Sequence, residues 1–147
     1  MISLAVRKTI RATPERLFAA WTTPDQLMRW WGPHGVECIE AQVDLRVGGR
    51  YRLANRFPEG RVVWIVGEFE RIERPTLLVY TWQTDADAQP ERVTVRFDAT
   101  DHGTDVSVVH ERIPHASARD QHRRGWEECL AALDALVGRS FGRDGRI

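Results

Sequence analysis

The sequence predicts an α+β fold in which one long C-terminal helix faces a mostly antiparallel sheet. Two observations lead there. From His115 to Val137, the residues Trp126, Cys129, Leu130, Leu133, Leu136 and Val137 recur at helical spacing on one face. Arg123, Arg124, Glu127, Glu128 and Asp134 fall mostly elsewhere, which gives an amphipathic helix of about six turns, roughly 30–35 Å long. Between Ala41 and Arg112, by contrast, the chain reads as strands and turns. A lone helix against a sheet suggests a hollow between the two.

The elements follow in order. Leu4 to Arg11 alternates loosely and forms a first strand. Thr13-Pro14 is an N-cap followed by proline at the first helical position, and Leu17, Phe18 and Trp21 give that short helix an apolar side. Thr23-Pro24-Asp25-Gln26 repeats the signal with a glutamine three residues after the cap, a capping-box pattern. This second helix runs from Pro24 to Trp30 and stops at Trp31-Gly32-Pro33. Strands are then expected at Val36 to Asp44, Arg50 to Asn55, Arg61 to Glu73, Thr76 to Gln83, Arg92 to Ala99 and Thr104 to Arg112. They are separated by turns at Gly48-Gly49, Pro58-Glu59-Gly60, Arg74-Pro75 and Asp101-His102-Gly103, and by a polar loop over Asp85 to Pro90. Gly67 inside a strand signals a bulge or a close backbone approach. Gly125, just before Trp126 in the helix, reads as a point of close packing against a neighbour.

Length and composition bound the function. A chain of 147 residues, 42% hydrophobic and 29% charged, suits one globular domain over residues 1–138, with 139–147 a short frayed tail after Gly138. With 21 basic and 21 acidic side chains the net charge is zero, so there is no general electrostatic attraction to nucleic acid. No signal-peptide run opens the sequence, and no stretch reaches the roughly 18 apolar residues of a membrane span. Cys38 and Cys129 are isolated and expected to be reduced thiols. The expectation is a soluble cytoplasmic protein without nucleic-acid or membrane partners, with room left for a homodimer. Six tryptophans stand out. They are either bulky core filler or, in part, the walls of a pocket for an apolar or aromatic ligand.

Several stretches in order resemble a known family. These are Ala12-Thr13-Pro14-Glu15-Arg16-Leu17-Phe18, Trp30-Trp31-Gly32-Pro33 and Asp44-Leu45-Arg46-Val47-Gly48-Gly49-Arg50-Tyr51. Gly67-Glu68-Phe69, Leu78-Val79-Tyr80-Thr81-Trp82 and His122-Arg123-Arg124-Gly125-Trp126 complete the set. Together they cover nearly the whole chain and resemble the SRPBCC (START-like, helix-grip) superfamily, in particular single-domain proteins related to the C-terminal domain of the heat-shock-chaperone ATPase activator. The resemblance implies a β-α-α-β6-α layout, a strongly curved antiparallel sheet gripping the last helix around a cavity, and a tendency to bind ligands. Some superfamily relatives are cyclases or hydrolytic enzymes. The chaperone activator also has a separate N-terminal domain that contacts the chaperone, and here residue 1 already stands at the first strand. The resemblance therefore carries the fold further than it carries the chaperone contact.

No HExxH, CxxC, GxSxG or phosphate-binding glycine loop occurs, so neither a metal nor a cofactor is expected. His115 and His122 are about 10 Å apart along the helix axis. Two histidines face inward: His110 shares strand parity with Val106 and Val108, and His122 lies one turn before Trp126. Each either hydrogen-bonds a ligand or moves a proton near neutral pH, or is satisfied at the edge of the core. The candidate cavity wall is Trp30, Trp31, Tyr80, Trp82, Phe97, His110, His122, Trp126, Cys129 and Leu133. Three functions stay open: a domain that binds a small apolar or aromatic molecule without catalysis, a cyclase- or hydrolase-like enzyme using His110 or His122, and a chaperone-interaction module.

Overall fold

Strand β1 (Ile2–Ile10) leads into helices α1 (Pro14–Thr22) and α2 (Pro24–Trp30). Six strands follow: β2 (Glu37–Val43), β3 (Arg50–Arg56), β4 (Val62–Glu73), β5 (Leu77–Trp82), β6 (Glu91–Thr100) and β7 (Gly103–Ile113), and then helix α3 (Ala116–Asp144). The computed structural model describes residues 2–84 and 89–144, with side chains as far as 138. All neighbouring strands are antiparallel, in the order β1-β7-β6-β5-β4-β3-β2. This is the β-α-α-β6-α layout. Of the expected polar loop at Asp85 to Pro90, residues 85–88 lie outside the described residues.

The sheet curves because pairing is interrupted where the chain bends. Register shifts fall between Ile2 and Leu4, Cys38 and Glu40, and Phe69 and Arg71, and such bulges increase local twist and bend the strand. The long strand β4 divides its partners. Residues 62–68 pair with β3, and Phe69 to Glu73 pair with β5. At the division, Gly67 lies so close to β5 that a Cβ there would stand 1.9 Å from the Thr81 carbonyl oxygen. The expected close approach is therefore real, and Tyr51 Oη seals it by donating to the same oxygen at 2.6 Å. Past the isolated Val66–Gln83 bridge no pairing joins β4 to β5 among the described residues, so the sheet opens toward the start of β4.

Strand alternation sends Leu78, Tyr80, Trp82, Val93, Val95, Phe97, Val106, Val108 and His110 inward, all buried. Helix α3 lays Trp126, Cys129, Leu130, Leu133 and Val137 onto this face, and Lys8 pairs with Asp134 at 3.6 Å to tie the helix to β1.

Two local expectations are corrected. Thr13 caps α1 through its side chain, accepting from Arg16 N at 3.1 Å, but the second start is not a capping box. Thr23 ends α1 as well as opening α2. Its N–H is already given to the Ala19 carbonyl, its side chain makes no cap bond, and Gln26 turns instead to Arg16. Helix α3 also runs to Asp144, past Gly138, whereas the helical pattern is expected to end at Val137. Gly138 is not among the glycines with positive φ and so does not form the left-handed cap that commonly ends helices.

Candidate functional site

The inner face of the sheet meets α3 in two different ways. Toward α1 the contact is solid. Trp30 donates its indole N–H to the Ala20 carbonyl at 2.9 Å, Phe97 packs edge-on against Phe18 and Trp21, and Leu133 is completely buried. Toward the open end of β4 a cavity of about 190 Å³ remains. Its walls come from the loop after α2 (Trp31, Pro33, Val36), from β3 and its end (Asn55, Phe57), from β4 (Val63, Ile65), from the end of β5 (Trp82, Thr84) and from α3 (Gln121, His122, Gly125, Trp126, Cys129). A second, much smaller hollow of about 20 Å³ adjoins Trp31, Tyr80 and Trp82 on the other side.

Of the ten expected wall residues, Trp31, Trp82, His122, Trp126 and Cys129 line the larger cavity, and Tyr80 borders the small one. Trp30, Phe97, His110 and Leu133 line neither and are core, because each is covered by side chains of its own neighbourhood. Gly125 is corrected in the opposite direction. A Cβ added there would meet nothing within 4 Å. The glycine does not admit a neighbour; it leaves the space that becomes the cavity.

The loop that closes this end is held from α3. Glu128 Oε1 accepts from the His34 backbone N–H at 2.9 Å. Helical spacing puts Glu128 away from the apolar face, and the structure gives it to the loop. Cys129 also approaches this loop, through a hydrogen bond with the Gly32 backbone, yet burial pushes its thiol up to about 12, so it stays protonated and packs as a small apolar residue.

His110 and His122 come together around a third residue that belongs to no sequence motif. Glu91, at the start of β6, lies 2.7 Å from His110 Nε2 and 3.2 Å from His122 Nε2 through the same carboxylate oxygen. The two imidazoles stack 4.5 Å apart and 13° from parallel. Trp82 stands edge-on to both rings. No local signal marks Glu91: it follows a polar loop, and its partners are 19 and 31 positions away.

One hydrogen bond orders the cluster. Trp126 Nε1 donates to His110 Nδ1 at 3.0 Å. An indole nitrogen only donates, so Nδ1 must accept, and the single proton of the neutral ring sits on Nε2 and goes to Glu91. Burial lowers the pKa of His110 and favours this neutral form, with the Glu91 hydrogen bond acting in the other direction. For Glu91, burial acts to raise the pKa, but the hydrogen bonds and charges of His110 and His122 outweigh it and hold the carboxyl at about 2. Glu91 is thus a carboxylate that orients two rings, and only His122 reaches the cavity.

Glu91, His110 and His122 also form a group of potential metal ligands, with donor atoms within 4.8 Å of one another. Their hydrogen bonds argue against a metal. A histidine that ligates through Nε2 directs its Nδ1–H outward to an acceptor, whereas here Nδ1 faces the Trp126 N–H.

The sequence pattern of the family described as Activator of Hsp90 ATPase homolog 1-like protein matches residues 11–138. The chain belongs to this family. Solved structures with the same fold include protein CV1439 from Chromobacterium violaceum, 27% identical with a TM-score of 0.86 over 92% of this chain and 96% of that one. An AHSA1-like protein from Aeromonas hydrophila is 25% identical, with a TM-score of 0.82 over 95% and 94%. PFC0360w, an HSP90 activator from Plasmodium falciparum, is 26% identical, with a TM-score of 0.73 over 92% and 96%. No curated protein matches the chain. This AHSA1-like domain therefore has the helix-grip architecture that the sequence motifs implied. Among its described residues no helix is long and apolar enough to cross a membrane.

Proposed function

We propose that this AHSA1-like domain binds a small apolar or aromatic molecule in the cavity between α3 and the sheet. The supporting observation is the cavity itself, about 190 Å³ walled by three indoles, Trp31, Trp82 and Trp126. An apolar cavity of about 150 Å³ already suffices to bind benzene. His122, held in place by Glu91, would form its polar edge. We place the protein in the cytoplasm, on the strength of its two buried, unpaired cysteines.

Native mass spectrometry of the purified protein, paired with thermal shifts across a panel of apolar compounds, tests this reading. A retained small molecule or a shift that Gly125→Leu abolishes is the expected outcome. Absence of both overturns it. Should bound compounds also be converted, His122, oriented by Glu91, is the residue to act as acid or base, and His122→Ala would stop turnover while sparing binding.

A second reading has its own support in the family match and in the Plasmodium falciparum HSP90 activator: contact with a heat-shock chaperone and stimulation of its ATPase. Chaperone ATPase rates measured with the wild type, a surface variant and Gly125→Leu separate the two. Stimulation lost only in the surface variant favours the second reading.

A further inference from the structure

Residues 32–36, the loop after α2, separate two hollows. On the inner side lies the cavity between α3 and the sheet. On the outer side a groove of about 600 Å³ runs between the same loop and the flank of α3, where Arg124, Glu127 and Glu128 line it. Pro33 and Val36 border both hollows, so the partition is a single run of chain. Along α3 the two sides interleave: Arg124 and Glu128 face the groove, Gly125 and Cys129 the cavity. The loop therefore lies along the line between them.

This partition is lightly tied. Before it, Trp31 gives its backbone N–H to the Leu27 carbonyl at 2.8 Å; after it, pairing with β3 begins at Glu37. Between these anchors, among the described residues, the only backbone–backbone hydrogen bond stays inside the loop, from the Val36 N–H to the Pro33 carbonyl at 2.9 Å. Gly32 and Gly35 have φ of 121° and 83°, a region that glycine enters at little cost. A Cβ at Gly32 would stand 2.6 Å from the Val36 carbonyl oxygen. Two contacts hold the turn to the helix: Cys129 with the Gly32 backbone, and Glu128 Oε1 with the His34 N–H at 2.9 Å. The second is exposed, so water competes for both partners and its net strength is modest.

We propose that residues 32–36 are a door between the groove and the cavity, with Glu128 as its latch. What passes through rests on the ligand-binding reading above; the opening itself does not. Released from Glu128, the turn closed by Val36 and Pro33 moves as one piece about its glycines, as hinges of a few residues do. The seam along α3 then joins groove to cavity. Gly125 suits that seam, because no side chain stands in it.

Cys129 reports on the door, since it is buried and lines the cavity behind the loop. Methyl methanethiosulfonate, a small uncharged thiol reagent, is added to the full chain, and modification of Cys129 is timed by peptide mass spectrometry. Glu128→Ala should speed it about tenfold, as loss of one hydrogen bond allows. Glu128→Gln, whose amide oxygen still accepts from His34, should keep the wild-type rate. So should Glu127→Ala, which removes a carboxylate of the groove that does not hold the loop. Well below the unfolding transition the rates should be nearly independent of urea, because a moving loop exposes little surface. An unchanged rate in Glu128→Ala overturns the latch. A rate that climbs with the full urea slope of unfolding overturns the door, since the thiol would then be reached only by unfolding. Labelling needs no ligand, so a protein that retains no small molecule loses the ligand-binding reading without touching this result.

Discussion

The two ends of the helix–sheet interface use the same residue types to opposite ends. Around Phe97, Trp30 and Leu133, each ring and aliphatic chain is covered and the N–H of Trp30 is bonded. Around Gly125, Trp31 and Trp82, large side chains surround a space that they do not fill, and polar atoms go without partners. Close packing normally leaves few voids larger than a water molecule. The contrast shows that the first end supplies stability and the second departs from the rules that supply it.

Mutations at each end put this comparison at risk. The largest effect should come from the solid end. Phe97→Ala is expected to cost about 3–5 kcal/mol, because a fully buried ring leaves a cavity that its neighbours cannot collapse into. Urea unfolding monitored by circular dichroism reads this directly, and a cost below about 1 kcal/mol would show that the solid end is not solid.

The cluster between the two ends should give an intermediate, pH-dependent effect. The fold keeps His110 neutral, so its contribution is complete above the ordinary histidine value of 6.5 and declines as pH falls below it, when the unfolded chain takes up the proton first. Glu91 is held at about 2 against an ordinary 4.5, so its contribution declines over that lower window. Glu91→Gln should cost about 1.5–3 kcal/mol at neutral pH, the range for hydrogen bonds to a charged group, and should flatten the lower limb of the stability–pH curve. A profile identical to wild type would mean the network is not formed.

The smallest effect, and one of opposite sign, belongs to the hollow end. Gly125→Ala should stabilise by about 1 kcal/mol, since alanine is the better helix former and its methyl group meets no neighbour. Destabilisation in the same unfolding assay would mean that the space at Gly125 is already filled.

Much of the solid end was legible in the sequence. Parity puts His110 with Val106 and Val108 on the inner face of β7, and helical spacing gathers Trp126 to Val137, because both signals are local and periodic. The hollow end was legible only in part. In the sequence Gly125 has only its chain neighbours for context, whereas the space beside it is set by β3, β4 and the loop after α2. Trp30 and Trp31 look alike in the sequence, although one turns to α1 and the other to the cavity. Glu91 left no trace, because a glutamate at a strand start after a polar loop is ordinary until the fold brings two imidazoles to it. Gln26 fits a capping box by spacing, and nothing local shows that Thr23 serves two helices at once.

The hydrogen bond from Trp126 to His110 has one further consequence. Two stacked imidazoles sharing a carboxylate would ordinarily be interchangeable, and a proton could pass along them in either direction. A permanent donor at His110 Nδ1 removes that symmetry. The inner ring cannot take a second proton without expelling the indole, while the outer ring, His122, has a nitrogen with no partner among the described residues. The pair is thus asymmetric: the indole fixes the tautomer of one ring, and the other ring is the one that meets the cavity.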